Sequence, residues 1–553
     1  MQRRLPLTAS MAAVGRAPRE AADGQPRALA TTVLAALAAA GALVLFAPID
    51  ARSFERWQLP KELCVEACAL ALLFVAPRRA RLDGLDLALL ASAAIGVLSA
   101  VLAVEPWIGM RHAGLTLAAV ALALAVRGLG PDARDTAREG VLAALVLVAL
   151  LALAETFGLV VGLSGHGRAP GATLGQRNVV AHVLALGVPC AWRAGTRELA
   201  SRRERVLGAM VLLVSVAAIL ATRSRAGWIA LAAGVITMGA LEVRRSPART
   251  VATVMAVISA GALTVLARPA LPWSRPHPYR ETLAHLLDAR SGSGHGRLVQ
   301  IAASLDWLRV DPWLGAGPGN WRVVYPALSP AGDPTVMPDA IDPVGRLLTC
   351  DVVAALVERG VLGAIAGIAV LVAALHAMTR DAPGEAQSAD RATASAPFAE
   401  RPGADPSLRS ASLGCVAAAL PLVLLDTVLE VAAPLAVMVV LATPAAREGE
   451  GWAAPRATRG AVTGVFAVLL AGAVGHRSVE LTAAWIADDR ASVEALERAV
   501  ALDPGGYEAR MRLAIALRSR GCDAARPVLQ DARVLRPYDP MPGALLARCA
   551  ARE

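Results

Sequence analysis

The sequence predicts an all-α membrane protein that crosses the bilayer about 12 or 13 times and ends in a small helical tail. Three observations predict it. Hydrophobic residues make up 56% of the 553-residue chain, and its mean hydropathy is +0.52. Charged residues amount to 18%, against about 25% in soluble domains, so the apolar surplus needs lipid as its solvent. Apolar runs of near-spanning length recur along most of the chain, and arginines gather in every second connection between them.

The arginine-rich segment 1–27 reads as a cytoplasmic N-terminal tail. The run from Ala28 to Ala47 is followed by no small-residue cleavage signal and reads as a retained helix. Further spans are expected at 63–76, 85–104, 112–126, 140–161, 179–192, 206–221, 226–241, 251–267, 360–378, 411–429, 430–443 and 460–475. Membrane helices thus occupy 28–267, 352–378 and 411–475. A long polar loop at 268–351 and a linker at 379–410 separate them. The linker is rich in Ala, Pro, Ser, Asp and Arg without apolar periodicity, and reads as flexible and cytoplasmic. Asp426, Glu430 and Pro434 leave 411–443 open to two crossings or one re-entrant hairpin.

Orientation follows from the arginines. With the N-terminus inside, the cytoplasmic connections hold Arg78, Arg79 and Arg81, then Arg127, Arg134 and Arg138, then Arg193 to Arg205, then Arg244, Arg245 and Arg249. The long loop then faces the outside. The net charge of +10 and pI near 9.9 are spent on these short clusters, so they indicate topology rather than a nucleic-acid partner.

In the tail, 476–553, Leu502-Asp503-Pro504 recurs as Leu535-Arg536-Pro537, a period that matches the tetratricopeptide unit of about 34 residues. Fewer than the roughly three repeats needed for independent stability are visible, so the tail is expected to lean on the membrane domain or on a protein partner. An unrelated helical hairpin is the alternative. Of the seven cysteines, Cys64 and Cys68 read as small packing residues in a membrane helix. Cys522 and Cys549 could pair if the tail lies outside. The sequence contains no Walker loop, no HExxH and no CxxC pair, and no cofactor or metal is expected.

Polar motifs cluster at the expected outer face. Gly171 to Asn178 precedes Val179-Val180-Ala181-His182 at the start of a span, where two glycines permit a tight backbone and Arg177 and Asn178 supply donors. Arg223-Ser224-Arg225-Ala226-Gly227 fills a short outer turn. Two arginines on the unfavoured side invite a functional explanation, with snorkelling to lipid phosphates as the bland one. The long loop runs from Gly294-His295-Gly296-Arg297 through Trp307 and Asp311-Pro312-Trp313-Leu314-Gly315 to Gly317-Pro318-Gly319-Asn320-Trp321. Ile301, Leu305 and Leu308 predict an amphipathic helix that ends at Asp311-Pro312.

On these residues the chain resembles the bacterial O-antigen ligase and polymerase superfamily. The carrying segments are Gly175 to Asn178, Ser224 to Gly227, Arg297 with Trp307, Asp311 to Asn320, and Glu358-Arg359-Gly360-Val361-Leu362-Gly363, in the family's order over about 28–443. Each is short and glycine-rich, and the specificity lies in five occurring in register. A tetratricopeptide tail also resembles those of some members.

The resemblance implies a metal-independent glycosyltransferase of the bacterial inner membrane, with its large loop periplasmic. It would move a glycan from an undecaprenyl-diphosphate carrier to an acceptor, either lipid A core, as in lipopolysaccharide assembly, or another glycan chain. By resemblance and by charge, Arg225 and Arg297 are assigned to the diphosphate, with Arg177, Arg223 and Asn178 as helpers. Arginine suits that task because it stays charged beside a membrane and grips phosphate as a fork.

One departure matters. The family's histidine, about nine residues ahead of the glutamate matched by Glu358, falls in a register that here holds Thr349-Cys350-Asp351. Asp351 or His295 could take its place as general base. Asp351 could equally cap the following helix, and His295 could be a solvated loop residue. Loss of the base also admits a non-catalytic membrane scaffold or glycan-binding component of an assembly or export complex. A transporter that uses Glu66, Glu155, Asp426 or Glu430 is a further class, although the two matching halves typical of such folds are not seen.

Overall fold

The computed structural model describes residues 17–49, 55–77, 79–160, 169–196, 202–267, 269, 271, 277–286, 288, 292–337, 340–345, 347–380, 406–446, 451–488 and 490–551. The chain is an all-α polytopic membrane protein. Among the described residues, nine helices precede the long loop: α1 (Ala17–Val44), α2 (Glu55–Val75), α3 (Gly84–Val101), α4 (Pro106–Arg127), α5 (Pro131–Thr156), α6 (Arg177–Thr196), α7 (Arg202–Thr222), α8 (Arg225–Glu242) and α9 (Pro247–Leu266). The loop carries α10 (Pro278–Ala284), α11 (Gly292–Ser304) and α12 (Trp321–Leu328). Then follow α13 (Asp351–Thr379), α14 (Pro406–Leu425), α15 (Ala432–Ala442) and α16 (Arg456–Ile486), and the tail adds α17 (Val493–Leu502), α18 (Tyr507–Leu517), α19 (Cys522–Leu535) and α20 (Pro540–Ala550).

Among the described residues, ten helices are long and apolar enough to cross a membrane. The other predicted spans fall on α2, α8 and α15. Of these, α2 carries Lys61, Glu62 and Glu66, α8 is bounded by Arg225 and Glu242, and α15 has only 11 residues. Most of the linker at 379–410 and of the N-terminal tail at 1–27 lies outside the described residues.

Two ends of the bundle can be told apart. At one, Arg127, Arg134 and Arg138 donate to the carbonyls of Pro444, Thr443 and Leu441 just past or at the end of α15. Arg127 also bonds Asp86, and the short strand Arg81–Leu82 pairs antiparallel with Trp452–Ala453. At the other end lie the long loop and the tail. There the backbone N–H groups of Val428 and Leu429, just ahead of α15, donate to Asp351 at the start of α13. Hence α14 and α15 run in opposite directions between the two ends of the bundle, joined by a turn at 426–431. Eleven residues rise only about 16 Å, roughly half of a ~30 Å hydrocarbon layer, and the long arginine side chains of α4 and α5 reach inward to meet the short helix.

At the centre, α6 is buried without interruption from Val179 to Trp192. It packs on α5, α7, α8, α14 and α15. Its first turn therefore stands where the loop-side ends of several helices meet.

The tail folds as two helix pairs on the loop side. The repeated Leu-x-Pro closes α17 and α19, at Leu502 and Leu535. Cys522 and Cys549 form a disulfide between α19 and α20. Trp107 Nε1 at the start of α4 donates to Asp503 at 2.7 Å, and Ile341 of the loop packs into the tail's core. The tail and the loop thus share one side of the bundle.

Candidate functional site

The loop's glycine-rich turn and the Glu358–Gly363 segment form one interlocked unit. Gly360 adopts φ 63° within α13 and breaks the helix there. A Cβ on Gly360 would stand 2.1 Å from the Trp313 carbonyl oxygen, so only glycine permits the approach. Ala316 and Gly317 N–H donate to the freed carbonyls of Val357 and Glu358, both at 2.9 Å. The Glu358 carboxylate accepts from Gly319 N at 2.7 Å and Trp321 N at 3.0 Å. Asn320 clasps Glu105, accepting from its N–H and donating to its carbonyl. From Gly315 to Trp321 and at Val357, Glu358 and Gly360 these motif residues are buried and bonded to one another, while the Trp313 side chain is exposed. Their chemistry is that of a frame, which sets the position of α11 and of the start of α13.

Above that frame lies a hub at Asp426, just past α14. Its Oδ2 accepts from Asn178 Nδ2 at 3.1 Å and from Arg297 Nη2 at 3.1 Å, and lies 3.5 Å from His182 Nε2. Oδ1 accepts from Thr427 N at 3.0 Å. Arg297 spends its other nitrogen on the Leu425 carbonyl at 2.6 Å, at the negative end of α14. The Arg297 side chain is 25% exposed, Asp426 11% and His182 1%, so the hub grades from the rim inward. Among the described residues, the 3.5 Å contact of Nε2 with Asp426 is longer than a good hydrogen bond, and neither ring nitrogen of His182 has a shorter one.

Arg223 and Arg225 sit on the turn between α7 and α8. Ser224 caps α8 by accepting from Gly227 N, and Arg223 takes φ 57° to make the turn. Arg225 Nη1 donates to the carbonyls of His285 and Asp288 at 2.9 and 2.8 Å, and Arg223 Nε donates to Thr282 at 3.0 Å. Both arginines therefore seat α10 over the turn. Gly227 lies against α6, where a Cβ would come within 2.5 Å of the Ala181 methyl. Ala181 stands between Asn178 and His182, so the α8 start adjoins the Asp426 hub through the first turns of α6.

The structure thus brings Arg297 and Asn178 together directly, and Arg225 and Arg223 one helix contact away. Arg177 opens α6, partly buried beside Asn178. Asp351 is 3% exposed and does not cap its own helix. Its Oδ2 accepts from Val428 and Leu429 N–H at 2.8 and 3.1 Å and braces the turn that carries Asp426. His295 is exposed on α11, two residues before Arg297. Thr349 lies 3.5 Å from Gln300. Sequence reading set Asp426 aside as a polar residue within a span and quoted His182 without a role. An acid at the end of a long apolar run was the signal available for Asp426.

A second buried polar cluster ties the tail-bearing helix into the bundle. Arg477 of α16 bonds Glu62 at 3.0 Å, Glu66 at 3.0 Å and Glu480, while Arg111 bonds Glu55 and Glu62. Glu66 is thereby held by an arginine between α2 and α16.

No curated protein matches the chain. Residues 209–343 match the family model described as O-Antigen ligase. The matched stretch contains the α7–α8 turn with Arg225, α11 with Arg297, and the glycine-rich turn. The match supports the O-antigen ligase superfamily for this membrane protein, and with it a ligase- or polymerase-like part in polysaccharide assembly on lipid-linked substrates.

Proposed function

We propose that the chain is an O-antigen ligase-like glycosyltransferase that transfers a glycan from an undecaprenyl-diphosphate carrier to an acceptor, lipid A core or another glycan chain. The observation that carries the reading is the meeting of three separated segments, 171–178, 222–227 and 294–297, at the first turns of α6. Each brings one or two arginines to the rim of the bundle, within the reach of a carrier lying in the membrane. Arg297 is held there by one carboxylate and one carbonyl, ligands that a diphosphate could replace with stronger charge-assisted bonds. Arg225 would bind the second phosphate group, with Arg177, Arg223 and Asn178 beside it.

In this reading the rim faces the periplasm. The arginine-rich end of the bundle is the cytoplasmic one, and the tail on the opposite side carries a disulfide, which persists in oxidising compartments. The tail, read as a tetratricopeptide pair, offers a surface for a protein partner. Metal is not required, since the departing diphosphate is stabilised by guanidinium groups. The test is an in vitro transfer assay with purified protein, a carrier-linked oligosaccharide and lipid A core or carrier-linked acceptor. Product formed in EDTA is the expected result. Carrier bound without turnover would instead favour a glycan-binding scaffold.

A further inference from the structure

We infer that Asp426 is the proton acceptor of the transfer, masked by Arg297 until the donor's diphosphate takes the arginine away. The inference rests on the transferase reading and adds to it a residue that lies outside the segments carrying the resemblance.

Three observations lead to it. The register in which the family carries histidine holds Thr349, whose hydroxyl cannot accept a proton at neutral pH. The two substitutes that the sequence offers are placed otherwise: Asp351 braces the 428–429 backbone, and His295 points into solvent. Asp426, in contrast, touches the arginine assigned to the donor, at 3.1 Å. It is held from behind by Asn178 and by the Thr427 N–H, so it keeps its place when Arg297 leaves.

The exchange has a clear physical logic. While Arg297 is paired with it, the carboxylate is neutralised and a poor base. A diphosphate offers the guanidinium two phosphate groups in place of one carboxylate, so the arginine turns outward and Asp426 loses its counterion. The acceptor oxygen bonds to the anomeric carbon, the bond from that carbon to the phosphate oxygen breaks, and its electron pair leaves with the polyprenyl diphosphate. The hydroxyl proton passes to Asp426. His182, 3.5 Å from Oδ2 and buried, is a positioning residue that orients the carboxylate and does not meet the substrate.

The experiment compares parent and Asp426→Asn in two assays: binding of farnesyl diphosphate as a short carrier probe, and transfer from a carrier-linked oligosaccharide. The variant is expected to bind farnesyl diphosphate at least as tightly as the parent, because Arg297 is released, while turnover falls about 100-fold. Asp426→Glu should recover part of the rate. Parent-like turnover in Asp426→Asn overturns the inference, as does a parallel loss of binding and turnover, which marks a structural role. If Asp426→Asn does not fold, His182→Gln carries the test: an expected ~10-fold loss of turnover at unchanged probe binding, with parent-like turnover as the overturning result. A parent that neither binds the probe nor transfers glycan defeats the transferase reading itself, an outcome distinct from all of these.

Discussion

Arg536 of the tail donates to Asp342 of the long loop at 2.6 Å, while its guanidinium lies 4.3 Å from the centre of the Tyr507 ring. The arginine side chain is 5% exposed and the aspartate 22%. One side chain therefore joins the tail's own core to the loop that frames the site. The neighbouring acids hold Arg536 above its ordinary pKa despite its burial, so it stays charged at any working pH.

Removing that side chain should loosen the tail. Arg536→Ala deletes a partly buried ion pair and a cation–π contact, together about 2–4 kcal/mol. Limited proteolysis in detergent is expected to cut the variant between α16 and α17 faster than the parent, with Arg536→Lys intermediate. Equal cutting rates would show that the tail is held without Arg536, by the Trp107–Asp503 bond and the packing of Ile341.

The disulfide gives a direct test of sidedness. Cys522 and Cys549 are separated by 27 positions, and closing a loop of that size contributes roughly 3 kcal/mol. Non-reducing peptide mapping of protein purified from the native host should recover the two cysteines as one linked peptide, and reduction should lower the unfolding temperature. Two free thiols in freshly isolated membranes would place the tail, and the loop it touches, in a reducing compartment.

Asp503 gives the tail a pH dependence. Burial, with Glu480 nearby, pushes its carboxyl up to about 6 from an ordinary value of 3.8. The folded state then holds the proton more tightly than the unfolded one. Stability is greatest below pH 4, declines through the window to about pH 6, and is level above it. The span corresponds to about 3 kcal/mol. Asp503→Asn, which can still accept from Trp107, should remove the slope and raise the unfolding temperature at pH 7.5. A parent whose unfolding temperature is flat between pH 4.5 and 7 would refute the account.

Much of this architecture was legible because hydropathy and arginine placement act residue by residue. Ala28 to Ala47, the loop from 268 and the arginine alternation need no tertiary knowledge. The site was legible only in part. Arg297 and Asn178 stood out as donors beside a membrane, but their common partner Asp426 lies 129 positions from Arg297 and 248 from Asn178. No local pattern reports such a contact. Asp351 shows the same limit: a carboxylate at a helix start reads as a cap, whereas the 428–429 backbone that it braces comes from another helix connection.

The interlock at Glu358 makes a further prediction about the frame. Glu358→Ala would leave the N–H groups of Gly319 and Trp321 buried without acceptors, at about 1–3 kcal/mol each. Glu358→Gln keeps one acceptor oxygen and should retain part of the stability. Thermal unfolding in detergent should rank parent above Gln above Ala. An Ala variant as stable as the parent would mean that the turn is held without the carboxylate, by the Ala316, Gly317 and Asn320 bonds and by the Ser99 hydroxyl, which donates to the Leu314 and Glu358 carbonyls.

The two arginines differ in what holds them, and this separates their variants. Arg225 donates to two backbone carbonyls of the α10 region, so Arg225→Ala removes both a phosphate ligand and a support of the loop. Arg297 is bound to Asp426 and the Leu425 carbonyl, so Arg297→Ala leaves the α10 region untouched. On the proposed reading each loses a charge-assisted contact of ~1.5–3 kcal/mol, and farnesyl diphosphate binding should weaken about 10–100-fold. Lysine should rescue only partly in either position, because it lacks the planar fork. Both alanine variants should lower the unfolding temperature, Arg297→Ala by leaving Asp426 without its cation and Arg225→Ala by freeing the α10 region, whose proteolysis should quicken in Arg225→Ala alone. Rates in the parent should be the same with and without EDTA. If both alanine variants bind and transfer like the parent, the diphosphate does not lie at the first turns of α6; if EDTA abolishes the parent's activity, the guanidinium groups are not its sole electrophilic support.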